Sequence, residues 1–570
     1  MTHQETRKPI NFNSLKPFLM AVSSLALMTG CSSRADEQPA DLPEILTGMA
    51  SGTGNYLPDF SYAGYEFGTA PLPAKTGTVI SVTGHGAVAN DEIDDSRAVL
   101  AAFEAARDIE GPVTVEFPAG RFILSDILFI DRSDFILKGA GSGEGGTTLH
   151  FPRPLTMIDQ SDALDELREY IVELDKRQVE TDKNLDVLFS EYSWSGGMIW
   201  VKVPDGRPAG YLPRYDAPAN VLATLAEGTR GERTIRMENN DSLSAGDVVQ
   251  VQWFNRAGED GPLIDEIYND PDIEVGSHHW TYHDRALARQ MTRIEAIDGD
   301  MVTIADPLLH DISADLPAYA SQWDHLSNIG IEGLRLEFPP ALVFGHHVEQ
   351  GYNGIYLTSA FNSWISDVEI ANADSGILTY DSASVTIRDI ETTGTRMAHY
   401  SVHIGNCHNM LVEGLTVRNP VLHDLSFNTQ STKSVYLDTE VFDEPVLDQH
   451  AGANHQNLFD NVTLHITPVE KDGKLTFPVW DGSGAGYWQP GHGAFNTTWN
   501  LKLVMDEATD ETIVLEGLAE GPNARIIGLS GNGAFALDYR PAPYTEFINQ
   551  PVTNAPSLYR YQLQQRTAGQ

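Results

Sequence analysis

Ser384-Val385-Thr386-Ile387-Arg388-Asp389-Ile390-Glu391-Thr392-Thr393 and Asn409-Met410-Leu411-Val412-Glu413-Gly414-Leu415-Thr416-Val417-Arg418 are two copies of one pattern. Each is a run of strand-forming residues. Aligning the strand-like segments puts Gly333, Asp367, Asp389, Gly414, Asp438 and Asn461 at one position, at successive spacings of 34, 22, 25, 24 and 23 residues. A repeat in the low twenties with β-branched residues and Asn-rich turns is the mark of rungs in a β-helix. An α-solenoid needs longer repeats with a 3.6-residue period, which are absent here. The long first interval marks an inserted loop around Phe344-Gly345-His346-His347-Val348-Glu349.

Equivalent residues of neighbouring rungs stack about 4.8 Å apart, so register translates into geometry. A second strand in each rung aligns as Gly354-Ile355, Gly376-Ile377, Ser401-Val402 and Leu425-Ser426. The loop residues three before form an expected ladder, Tyr352, Asp374, His399 and His423, continued near Asp448 and His450. Asn353, Tyr400 and Asp424 sit beside it, and His403 lies along the neighbouring strand. Histidines titrate near neutrality and carboxylates beside them orient the ring, so this column is the candidate site. The alternative is a polar turn ladder that bonds only its own backbone. A one-residue slip in register would redirect some of these side chains.

Upstream, Ile80-Ser81-Val82-Thr83-Gly84-His85-Gly86 leads through Asp94-Asp95-Ser96 into a helical run from Arg97 to Arg107. Ser96 or Asp95 is expected to cap this helix, with Val99, Leu100, Phe103 and Ala106 on one face. A strand at Val113–Phe117, a Pro118-Ala119-Gly120 turn and Phe135-Ile136-Leu137-Lys138-Gly139-Ala140-Gly141 follow. This order resembles the N-terminal cap of the pectate-lyase-like β-helix superfamily, with Glu92 where Gly is usual. His423-Asp424, Asp448-Gln449-His450, His455-Gln456-Asn457, Gly491-His492-Gly493 and Ser557-Leu558-Tyr559-Arg560 extend the resemblance, which covers most of residues 79–565. It implies a right-handed parallel β-helix in a secreted bacterial protein acting on polysaccharide, with no substrate attached. Neither the calcium-binding carboxylate cluster with a separate Arg or Lys base nor the paired Asp of polygalacturonases can be placed cleanly.

The chain divides into a lipoprotein signal peptide (1–30), a tether and N-terminal segment (31–78), the cap and first rungs (79–152), a helical insertion with return to the solenoid (153–227), a small β subdomain (228–312) and the main rungs (313–570). The apolar stretch Phe18–Met28 is too short to span a bilayer. It ends in Leu27-Met28-Thr29-Gly30-Cys31-Ser32, which resembles a lipobox; the resemblance makes Cys31 the lipidated residue and the outer membrane of the cell envelope the destination. The lipid is the one membrane attachment expected. Cys407 has no partner and is expected to be a buried, inert thiol.

A net charge of −43 excludes nucleic acid as a partner, since phosphate binding needs Lys and Arg in excess. Residues 382–436 are locally neutral, with Arg388, Arg396, Arg418 and Lys433 matching Asp389, Glu391, Glu413 and Asp424. An acidic sugar is therefore tolerated there. The leading expectation is a monomeric lyase cleaving a uronate-containing polysaccharide by β-elimination, which needs a base, an acid and neutralisation of the carboxylate. His423 or His399 is the expected base and Tyr400 the acid; Arg418, Arg396 or Lys433 neutralises the carboxylate. Asp374, Asp424 and Asp448 orient histidines or hold Ca²⁺. Tyr352, Asn353, Arg396, His403, His450 and His455 are assigned to substrate binding.

A glycoside hydrolase using two of these carboxylates is the alternative. A third reading is a non-catalytic binding solenoid, with Trp253, Trp280, Tyr282, Trp480, Tyr487 and Trp488 stacking on sugar. His278, His279 and His283 have spacing that allows a zinc site.

Overall fold

The computed structural model describes residues 42–48, 56–74, 77–178, 189–204, 220–276, 286–340, 345–450, 452–481, 489–517 and 521–569. The expected signal peptide and Cys31 lie outside these residues, as do Trp280, Tyr282, Tyr487, Trp488, His278, His279 and His283. Among the described residues no helix is long and apolar enough to cross a membrane.

The chain is a right-handed parallel β-helix. One rung runs through the bent strand Ala360–Ala371 of a 17-stranded sheet and then Ser375–Tyr380 of an 11-stranded sheet. Every pairing in the large sheet is parallel, and identical positions stack: Ile331, Ile365, Ile387, Val412, Tyr436 and Phe459 form one buried ladder.

The bend has a local cause. Gly333, Asp367, Asp389, Gly414, Asp438 and Asn461, the residues aligned from the repeat, all have left-handed backbone, with φ of 69, 53, 56, 70, 50 and 54°. Gly, Asn and Asp enter that region at least cost, so the column turns each strand at the same corner. A second left-handed column stands five residues earlier, at Asn328, Asn362, Ser384, Asn409, Lys433 and Gln456.

A helix, α1 (Ser96–Arg107), covers the N-terminal rungs with Val99, Ala102, Phe103 and Ala106 buried. Neither expected side-chain cap forms. Asp95 sits at the N-cap, but its carboxylate accepts Val88 N–H (2.8 Å), and the Ser96 hydroxyl accepts Ser125 N–H (2.7 Å). The helical insertion contains α2 (Asp165–Gln178), anchored through Leu164, Leu167 and Ile171.

The expected β subdomain is a closed six-stranded antiparallel barrel running from Val221 to Gln322, wider than 228–312 at both ends. Its first and last strands pair, Leu225 opposite Ala318, and so leave no open edge. The barrel sits on the solenoid through buried polar contacts: Arg289 to Asn406 (3.0 Å) and Gln430 (2.7 Å), Trp323 to Asp381 (3.0 Å) and His408 to Asp306 (2.9 Å).

The segment 56–72 runs along the large sheet and meets α3 (Leu558–Ala568) at the other end of the chain. Gln562 accepts Phe60 N–H (2.9 Å), and Arg566 donates to the carbonyls of Ser61 (2.8 Å) and Phe67 (2.6 Å).

Candidate active site

Five consecutive strands of the smaller sheet carry the site: β1 (Asn353–Thr358), β2 (Ser375–Tyr380), β3 (Ala398–Gly405), β4 (Val421–Asn428) and β5 (Leu447–His450). Ile355, Ile377, Val402, Leu425 and Leu447 stack as one apolar ladder. The expected register is therefore one residue out at β4, since Leu425 rather than Ser426 stands opposite Val402. His423 pairs with Tyr400, and His403, Ser426 and Asp448 form a second column.

Four of the expected histidines come together. The His399 ring stacks on Tyr400 (centroids 4.3 Å, 9°), and His423 lies 5.3 Å from His399, 5.2 Å from Tyr400 and 4.7 Å from His450. His403 is 4.7 Å from Tyr400. The inserted loop adds two further imidazoles and a carboxylate. His346 Nε2 lies 3.2 Å from His399 Nε2, and His346 and His347 are 3.7 Å apart. Glu349 Oε1 is 3.0 Å from His399 Nδ1, off the axis of a hydrogen bond.

On the other side Asp448 Oδ2 accepts the Ser426 hydroxyl (2.6 Å) and lies 3.5 Å from His423 Nδ1 and 3.3 Å from His450 Nδ1. His399, His423, His403, Tyr400 and Asp448 are buried; His450 is half-buried and His346 exposed, so the cluster opens at those two.

Burial dominates the electrostatics. It holds the His399 and His423 imidazoles well below their usual range, aided by neighbouring histidines, and takes His403 and His347 down to about 3. These rings are neutral lone-pair donors and weak bases. Burial alone raises Asp448, but His450 and His423 outweigh it and hold the carboxyl below its usual range. Asp424 is pushed well above, first by burial and then by the Asp448 charge; it is an inward-lying carboxylic acid receiving Val446 N–H (3.1 Å). Tyr400, the expected acid, is fully buried against the rings.

The other expected residues serve elsewhere. Arg396 is buried, bonds Asp374 (2.7 Å) and Pro339 O (2.7 Å), and lies over the Tyr352 ring at 4.5 Å. Asp374 spends its second oxygen on Gly351 N–H (3.0 Å) and Tyr352 N–H (2.9 Å). Asn353 is buried and donates to the carbonyls of Tyr192, Ser195 and Gly196. Arg418 is half exposed, pairs with Glu391 (2.5 Å) and lies over Phe442. Lys433 is a buried corner residue with left-handed φ, near the His310–His455 pair (2.8 Å) under the barrel. His455 belongs to that pair and faces no groove. Trp253 and Trp480 are buried packing residues, which removes them from any stacking platform.

Calcium does not fit the expected residues. It takes six to eight oxygen donors, whereas both Asp374 oxygens are engaged and Asp448 stands among nitrogens.

His346, His347 and Glu349 carry the part of the site that repeat analysis leaves unassigned. Their signal is the over-long first interval, which holds a His-His pair and a carboxylate.

The fold defines a class, the right-handed parallel β-helices, and solved structures of that architecture match. The tailspike protein gp49 from Pseudomonas phage LKA1 is 12% identical, with 82% of this chain and 79% of that chain covered and a TM-score of 0.42. The mannuronan C-5 epimerase AlgE6 A-module of Azotobacter vinelandii is 11% identical, covering 83% and 100%, at 0.37. A hyperthermoactive exopolygalacturonase from Thermotoga maritima is 9% identical, covering 84% and 94%, at 0.32. No family model matches the chain, and no curated protein matches it in sequence.

Proposed function

We propose that the protein is an extracytoplasmic, lipid-anchored polysaccharide lyase that opens a uronate-containing chain by β-elimination. The observation that carries this reading is the His450–Asp448 dyad. An imidazole with 14% of its side chain exposed is placed against a fully buried carboxylate at the mouth of the histidine cluster. His450 takes the C5 proton of the uronate, the C4–O4 bond breaks as the C4=C5 double bond forms, and the departing oxygen takes a proton back from the imidazolium, which Asp448 orients and stabilises. This moves the base from His423 and His399, which are too enclosed and too weakly basic for the task.

The test is incubation with alginate, pectate, ulvan, glucuronan and glycosaminoglycans, reading the near-ultraviolet absorbance of an unsaturated uronate. A rise with one substrate that His450→Gln removes is the expected result. New reducing ends without absorbance would mean hydrolysis and sink the lyase reading.

A further inference from the structure

β-Elimination needs a cation on the uronate carboxylate, and the cationic side chains expected to supply it are engaged: Arg396 with Asp374, Arg418 with Glu391, Lys433 at a buried corner. We propose that His346, His347 and His399 bind one divalent transition-metal ion of the zinc class, which takes this place. The ion's part in the reaction rests on the lyase reading; its presence does not.

Three observations converge. The ligand nitrogens of the three histidines all lie within 4.8 Å of one another. Two nitrogens on a tetrahedral ion with bonds of 2.0–2.1 Å are about 3.3 Å apart, and His346 Nε2 and His399 Nε2 are separated by 3.2 Å. Second, Glu349 stands 3.0 Å behind His399 on the ring's other nitrogen, and its remaining oxygen receives the Ser193 hydroxyl. A carboxylate in that position is the usual support of a metal-bound imidazole, fixing its tautomer and orientation. Third, the site is closed on the protein side by buried His399 and open at exposed His346. Three protein ligands with a free outward position are the pattern of a catalytic rather than a structural zinc site.

The donor set also selects the ion. Imidazole nitrogens favour zinc, copper, iron or nickel over calcium and magnesium, which prefer oxygen. The nearby His423–Asp448–His450 group contains the proposed proton-transfer dyad and is not included.

The experiment uses tag-free mature protein, stripped with dipicolinate, loaded with Zn²⁺ or Ca²⁺ and desalted. Bound metal is measured by mass spectrometry, and Co²⁺ loading is followed by its visible spectrum. One zinc per chain, no retained calcium and a four-coordinate cobalt spectrum are expected. His346→Ala, on an exposed loop, should lose at least the roughly 10–100-fold in affinity that loss of a supporting carboxylate costs, with an unchanged circular dichroism spectrum. His450→Gln should retain the metal.

Failure of the wild type to bind zinc, or equal binding by His346→Ala and His399→Gln, would overturn the site. Stoichiometric zinc without any unsaturated product would remove the lyase reading and leave the site standing. Full product formation by zinc-free protein would remove the ion's assigned role.

Discussion

His346 Nε2 lies 3.2 Å from His399 Nε2 although 53 residues separate them in sequence. The loop between the strands Ile329–Glu337 and Asn353–Thr358 brings its histidines onto the face of the next rungs, and Glu349 of the same loop lies 3.0 Å from His399 Nδ1. Glu349→Gln keeps the shape and removes the charge behind His399. It should weaken zinc binding about 10–100-fold, measured by competition with a chromophoric chelator, without changing the melting temperature by more than a few degrees.

Asp448 and His450 act together in the proposed reaction. Asp448→Asn should lower kcat about 10²–10⁴-fold, the range of a positioned acid–base group, with little change in KM. Initial rates on the active polysaccharide read this directly, and an unaltered kcat would remove the dyad from the chemistry.

His492 provides a pH prediction away from the site. Its Nδ1 donates to Gly493 O (2.7 Å), and Nε2 accepts Gly521 N–H (3.0 Å) and lies against the Tyr539 hydroxyl, so the folded protein holds the neutral ring. Burial takes its pKa down to about 4 from 6.5. Above pH 6.5 the ring is neutral in both states. As pH falls from 6.5 to 4 the unfolded chain gains at this ring a proton that the folded one refuses, and the ring's own contribution to stability declines by about 1.4 kcal/mol per pH unit. Urea unfolding at pH 6.5 and 4.5 should show this loss, and His492→Gln should reduce the slope by one proton.

The left-handed corner column carries its own cost. Asn461 has φ 54°, is exposed, and holds Asp438 of the preceding rung with its side-chain amide. Asn461→Val forces a β-branched residue into that region and should cost about 1–2 kcal/mol. Asn461→Gly should remain within about 1 kcal/mol of wild type. Denaturant midpoints of the two variants separate backbone strain from the lost amide contact.

Cys31→Ser should abolish palmitate labelling and release the protein from the membrane fraction, leaving catalytic constants unchanged. Labelling of the variant at wild-type level would remove the anchor.

The repeat was legible in the sequence because left-handed backbone restricts residue choice, so Gly, Asp and Asn recur at one position from Gly333 to Asn461. The second column is not legible in the sequence, because Ser384, Lys433 and Gln456 stand where Asn or Gly would be expected. The histidine face was legible through β3. It slipped at β4 because loops of unequal length separate the two sheets: Ile377 to Val402 spans 25 residues and Val402 to Leu425 only 23. Register established in one sheet does not carry to the other across such loops. Arg418 and Lys433 were assigned by charge alone, and charge does not reveal which face of a rung a side chain occupies. The His346–Glu349 loop has no periodicity, so its place above His399 exists only in three dimensions.

Solenoids ordinarily fray from their ends, because each repeat touches only its neighbours. Here Gln562 and Arg566 grip the segment around Phe60 and Phe67 from about five hundred residues away. Neither the segment 56–72 nor α3 can peel back without releasing the other. The two segments thereby act as a clasp across the large sheet: loosening either one begins with the clasp opening, and the same few contacts guard both against proteolysis.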